Sequence, residues 1–154
     1  MTIEQRLAAL NLELPTPAAP AGNYVPFVVV GNLVYVAGQL PRRDDKIQVV
    51  GKLGAGIDVA RGQEAARLCA LNALTHLRTA CGGDLERVAR CVRLTGYVNC
   101  TADFAEQPKV VNGASDLMVE IFGERGRHAR VAVGANALPG NAACEIESLF
   151  EIRV

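Results

Sequence analysis

The sequence predicts an α+β fold: a mixed sheet with two helices packed on one face, in the order β-β-α-β-α-β-β after a short N-terminal helix. Three observations lead there. Two segments, 59–81 and 107–122, repeat apolar residues at helical spacing, and the segments around them have the length and β-branched or alternating character of strands. Strands and helices interleave imperfectly, which excludes a uniformly wound parallel sheet. With 154 residues, half of them apolar and 21% charged, the chain has the size and composition of one globular domain.

Each element has its own warrant. Thr2 followed by Gln5 is a capping-box pair, and Ile3, Leu7 and Leu10 continue it as an amphipathic helix over 2–11 that is too short to stand alone. The Pro-Thr-Pro-Ala-Ala-Pro-Ala-Gly run at 15–22 cannot extend that helix and reads as an extended connector. The chain therefore divides into a helical arm with its Pro/Ala connector, 1–22, and a single α+β domain, 23–154. Val25–Val30 and Leu33–Ala37 are apolar runs separated by Gly31-Asn32, a type II′ hairpin signal. Residues 41–57, rich in charge and glycine, read as an irregular loop or short ribbon. Asp58 caps the helix at 59–81, whose stripe of Ala66, Cys69, Ala70, Ala73, Leu77 and Ala80 predicts close packing on a sheet, and Gly82-Gly83 end it. A strand at 87–99, a helix at 107–122 stopped by Gly123, and strands at 129–135 and 143–152 complete the order.

Composition excludes several function classes. Sixteen basic and sixteen acidic residues cancel, so the electrostatic footprint of a nucleic-acid binder is absent, and no nucleic-acid partner is expected. The five cysteines are odd in number and form neither a disulfide framework nor a zinc pattern, and no metal site is expected. No apolar run reaches the roughly 18 residues of a membrane span, so a cytoplasmic location and no membrane partner are expected. Thirteen of the sixteen basic residues are arginine, which leans toward carboxylate partners.

The last two strands hold the candidate chemistry. Alternation places Arg130 on one strand face with Ala132 and Gly134, leaving space beside a guanidinium. On the closing strand Cys144, Ile146, Ser148 and Phe150 form an apolar face, which sends Glu145, Glu147 and Glu151 to the other. By themselves these charges also read as solvated strand residues. His76 and His128 have no partner pattern and read as ordinary surface or satisfied histidines.

Two motifs carry a resemblance. Gly31-Asn32-Leu33-Val34-Tyr35-Val36-Ala37-Gly38-Gln39-Leu40-Pro41 resembles one signature of the RidA/YjgF family, the reactive enamine/imine deaminases also labelled L-PSP proteins. His128-Ala129-Arg130-Val131-Ala132-Val133, then Leu138-Pro139, then Glu145-Ile146-Glu147, resembles the other. The likeness spans about 22–152 and points to a longer subgroup with an N-terminal arm. It implies a chorismate-mutase-like fold, a homotrimer with clefts between subunits, and hydrolysis of enamines and imines to 2-oxo acids and ammonia without a cofactor. By position, Arg130 would clamp a small carboxylate-bearing substrate and Glu145 would serve the attacking water, with Tyr24 and Gly38 bordering the cleft. A helix asparagine of the family falls on either Asn112 or Ser115. Arg130 and Glu145 are expected on neighbouring strands, opening into one pocket. Ala37, Val131 and Ala132 depart from the family's serine and cysteine positions. The alternatives are a non-catalytic trimer that binds a 2-oxo acid, and an endoribonuclease or translation inhibitor.

Overall fold

The computed structural model describes residues 1–154. Its elements are α1 (Ile3–Ala9), β1 (Phe27–Val30), β2 (Leu33–Gln39), the short strands β3 (Arg42–Arg43), β4 (Lys46–Ile47), β5 (Lys52–Leu53) and β6 (Gly56–Ile57), then α2 (Val59–Ala80), β7 (Val88–Asn99), α3 (Gln107–Phe122), β8 (Ala129–Ala135) and β9 (Cys144–Ile152). The expected order holds, and 41–57 forms two small ribbons, β3 with β4 and β5 with β6. No helix is long and apolar enough to cross a membrane.

Local chemistry sets the boundaries. The Thr2–Gln5 capping box forms in both directions, and the Asp58 side chain accepts the Arg61 amide at the start of α2. Gly31 takes φ +60°, which the first position of a type II′ turn requires, and joins β1 to β2 through a two-residue loop closed by Val30↔Leu33. The arm is docked: Ile3 and Leu7 are buried in the core, and the Thr75 hydroxyl donates to the Pro15 carbonyl at 2.8 Å.

The main sheet runs β1-β2-β9-β7-β8. Within it only β7 and β8 are parallel and the other three pairings are antiparallel, so the sheet is mixed. The C-terminal strand β9 thus inserts at the centre. Its buried face, with Ile146 and Phe150, joins Val34, Val36, Leu94 and Val98 beneath α2 and α3. The helices approach closely: a Cβ on Gly113 would lie 2.1 Å from the Gln63 carbonyl oxygen, so α3 can cross α2 there only with glycine. The opposite face carries no helix. There Tyr35, Val131 and Val133 are 47%, 47% and 41% exposed, on the same face as Glu145 and Glu147, with Thr95 and Tyr97 of β7 standing between the two valines and the glutamates.

Candidate functional site

Arg130 lies on β8, an edge strand, and its side chain turns toward α3. Its Nη1 donates to Asn112 Oδ1 at 2.7 Å and to Ser115 Oγ at 3.2 Å. Asn112 and Ser115 are three residues apart on α3, hence on one helix face, so both candidates for the helix position meet the same guanidinium. His128 extends the chain of contacts. Its Nδ1 lies 2.6 Å from the Gly126 carbonyl, which can only accept, so Nδ1 carries the proton and Nε2 accepts the Ser115 hydroxyl at 2.8 Å. Ser115 then offers its lone pairs to Arg130. None of the seven ion pairs includes Arg130, so this guanidinium is oriented by neutral groups and keeps its charge uncompensated.

Glu145 belongs to the other face. It pairs with Tyr97 across β9 and β7 and sits against Gly38 on β2, where an added Cβ would lie 2.6 Å from its Oε1. Gly38 is therefore the residue that gives the Glu145 carboxylate its room. Partial burial, and secondly the charge of Glu147, hold the Glu145 pKa above its ordinary value. Glu147 accepts the Tyr97 hydroxyl at 2.9 Å, and that hydrogen bond raises the tyrosine pKa.

Tyr24 and Gly38 border one small cavity, together with Arg42, Asn72 and His76. Arg130 does not reach it. Arg130 and Glu145 are not on neighbouring strands: β7 lies between β8 and β9, because the closing strand takes the centre of the sheet. The Arg130 row runs through Leu94 to Ser148, three residues from Glu145, which separates the two by roughly 10 Å along the strands and roughly 10 Å across them. They also face opposite sides of the sheet. Within one chain, the expected shared pocket does not form.

The sequence reading missed His128 as the third member of the Arg130 network, although His128 stands two residues before Arg130 at the entry to its strand. It also missed Asn72, whose amide donates to the Leu40 and Arg42 carbonyls, both at 3.0 Å, and so fixes the chain just beyond Gly38. A third omission is Asn99 at the end of β7. Fully buried, it accepts Lys52 Nζ at 2.8 Å and donates to Gly51, Asn141 and Ala142, tying the loop before β9 to the sheet.

The family model described as "YjgF/chorismate_mutase-like, putative endoribonuclease" matches residues 4–152. The chain belongs to the YjgF/RidA family. The match takes in α1 from Glu4 onward, so residues 4–22 of the arm lie within the family's span. Protein TCP17 of Trypanosoma cruzi is 47% identical over 151 residues, 97% of this chain and 94% of that protein. Protein Atu1372 of Agrobacterium tumefaciens, of unknown function, is 48% identical, covering 99% of this chain and 93% of its own, with a TM-score of 0.92. RidA from an Antarctic Psychrobacter is more distant, at 26% identity and a TM-score of 0.56 over 91% of this chain and 96% of its own. The relative with nearly the same length and a high TM-score shares the whole architecture; the YjgF/RidA core extends to more divergent chains.

Proposed function

We propose that this YjgF/RidA chain is a cofactor-independent deaminase that hydrolyses reactive enamines and imines to 2-oxo acids and ammonia, in clefts between the subunits of a homotrimer. One observation carries the reading: Arg130 is held by Asn112 and Ser115 and has no acidic partner, which is the condition of a guanidinium kept for a ligand carboxylate. Planar, bidentate binding would fix the carboxylate beside the C=N carbon.

The separation of Arg130 from Glu145 supports the intersubunit cleft. Each half is formed in one chain and incomplete there. Edge strand β8 of one subunit, with exposed Val131 and Val133, would cover the open face near Glu145, Gly38 and Tyr24 of the next, burying apolar surface that a single chain leaves in water. In the cleft, Glu145 would take a proton from water as the water oxygen adds to the carbon of the iminium form, return it to the nitrogen of the resulting carbinolamine, and take the hydroxyl proton as the C–N bond breaks, leaving the 2-oxo acid and ammonia, which carries that last proton away as ammonium. A carboxyl whose pKa lies above the ordinary range is better matched to this exchange near neutral pH. The enzyme would need no group beyond its own side chains.

A second reading, a trimer that binds a 2-oxo acid without turning it over, is favoured by Val131 and Ala132, which supply neither hydroxyl nor thiol beside Arg130. Generating imines with an amino-acid oxidase and following ammonia release separates the two. Acceleration by the protein, with no metal or cofactor added, supports the deaminase. Unchanged imine decay, together with thermal stabilisation by a 2-oxo acid, supports the binding trimer.

A further inference from the structure

The cavity beside Gly38 contains groups that hydrolysis does not use. One wall is α2, through Asn72, Thr75 and His76; the other is the connector Pro17–Ala21, made stiff by its prolines; Tyr24 and Gly38 stand at its edge. Its volume of about 80 Å³ suits a group of a few non-hydrogen atoms and not a whole ligand.

His76 is the first sign of what fits. It is only 6% exposed, it faces this cavity, and its ring makes no hydrogen bond: the histidine hydrogen bonds of the chain are all made by His128. The only fully buried side-chain polar atom without a hydrogen bond is Ser148 Oγ, so the His76 ring nitrogens still meet solvent and are open to a ligand atom. Burial also holds its pKa below the ordinary value, so it stands neutral and can donate or accept. Arg42 is the second sign. Asn72 holds its backbone carbonyl, yet its side chain forms none of the ion pairs of the molecule. No aspartate or glutamate lines the cavity. An unpaired guanidinium, an unpartnered imidazole and no acid together define a receptor for an anionic, oxygen-bearing group.

Gly38 has Glu145 on one side and this cavity nearby on the other. We propose that the cavity is the side-chain pocket of the cleft and takes a second carboxylate, so that the ligands it prefers are dicarboxylic 2-oxo acids and the imines that precede them. The word imine rests on the deaminase reading; the dicarboxylic class rests on the cavity.

Calorimetric titration of the 154-residue chain with 2-oxoglutarate and with 2-oxohexanoate, a monocarboxylic analogue of similar length whose side chain is uncharged, tests the pocket without requiring turnover. The expected result is tighter binding of the dicarboxylic acid by about 10- to 100-fold, the range of one or two charge-assisted contacts. Arg42→Ala should bring that ratio close to one and Arg42→Glu should invert it; the residue is partly exposed, so both variants are expected to fold, which circular dichroism checks. Equal affinities in the wild type, or a preference that survives Arg42→Ala, would overturn the proposal. Imine assays on the same samples keep the two readings apart. Arg42-dependent binding without imine hydrolysis removes the deaminase and retains the pocket, whereas hydrolysis of imines with acidic and with uncharged side chains at equal rates, insensitive to Arg42, removes the pocket and retains the deaminase.

Discussion

The two halves of the candidate site are built in contrasting ways. Arg130 is held by what surrounds it: Asn112 and Ser115 accept its protons, and His128 fixes the serine from behind. Glu145 is held by what is missing, the side chain that any residue but glycine would place at position 38. The first half lies on the helix side of an edge strand and the second on the bare face of the central strand. Each is finished locally, and the two do not meet within one chain, which is the arrangement that the proposed division of the site between identical subunits calls for.

The largest effect is expected at Glu145, the proposed water activator. Glu145→Gln keeps the shape and removes the base, and should lower the rate of imine hydrolysis by about 10²- to 10⁴-fold while ligand binding persists. Arg130→Ala removes the carboxylate anchor and should lower kcat/KM by roughly thirty-fold to several hundred-fold; Arg130→Lys should recover only part, because an ammonium lacks the planar fork. Steady-state kinetics on both variants would show whether the halves play these different roles. Equal losses in KM and kcat at both positions would erase the distinction.

His128→Ala sharpens the comparison further. It leaves Arg130 with Asn112 but loosens Ser115, so a rise in KM of about three- to ten-fold with kcat nearly unchanged is expected for a positioning residue. His128→Gln, which can still accept the Ser115 hydroxyl, should restore most of the loss.

The smallest effect concerns stability and belongs to Glu145 alone. Its folded-state pKa is raised above the ordinary value of 4.5, first by burial and then by Glu147. At low pH both folded and unfolded chains hold the proton and the carboxyl costs nothing. As pH rises the unfolded chain ionises first, so the folded state loses stability until pH passes the raised folded value. Glu145→Gln escapes that loss. The Tm advantage of the glutamine variant should therefore grow from roughly zero near pH 4 to a few degrees at neutral pH, then level off. A constant difference across that range would show that the carboxyl is not desolvated in the folded protein.

The sequence carried the fold further than the site. Alternation along 144–152 places Glu145 and Glu147 opposite Ile146 and Phe150, and the structure leaves the glutamates on the face without helices. Caps at Thr2 and Asp58 and the stop at Gly123 also formed where local chemistry put them. Those are near-neighbour effects. That β9 would insert between β2 and β7 depends on pairings across the whole chain, and so the placement of Arg130 relative to Glu145 was not legible. His128 was missed for a different reason. Its partners arrive from α3 and from the turn at Gly126, and one histidine in a sequence does not announce either. For Asn72, Thr75 and His76 there was a signal: polar residues at helical spacing on an otherwise apolar stretch of α2, now seen lining the cavity beside Gly38.

Subunit mixing tests the divided site most directly. Arg130→Ala and Glu145→Gln proteins, each strongly impaired alone, are unfolded together and reassembled in equal amounts. Clefts that combine Arg130 from one chain with Glu145 from another are then regenerated, and random assembly predicts recovery of about a quarter of wild-type imine hydrolysis in particles that light scattering identifies as trimers. Trimers that form from the mixture without any recovery, or wild-type activity in a particle that scatters as a monomer, would contradict a site shared between chains.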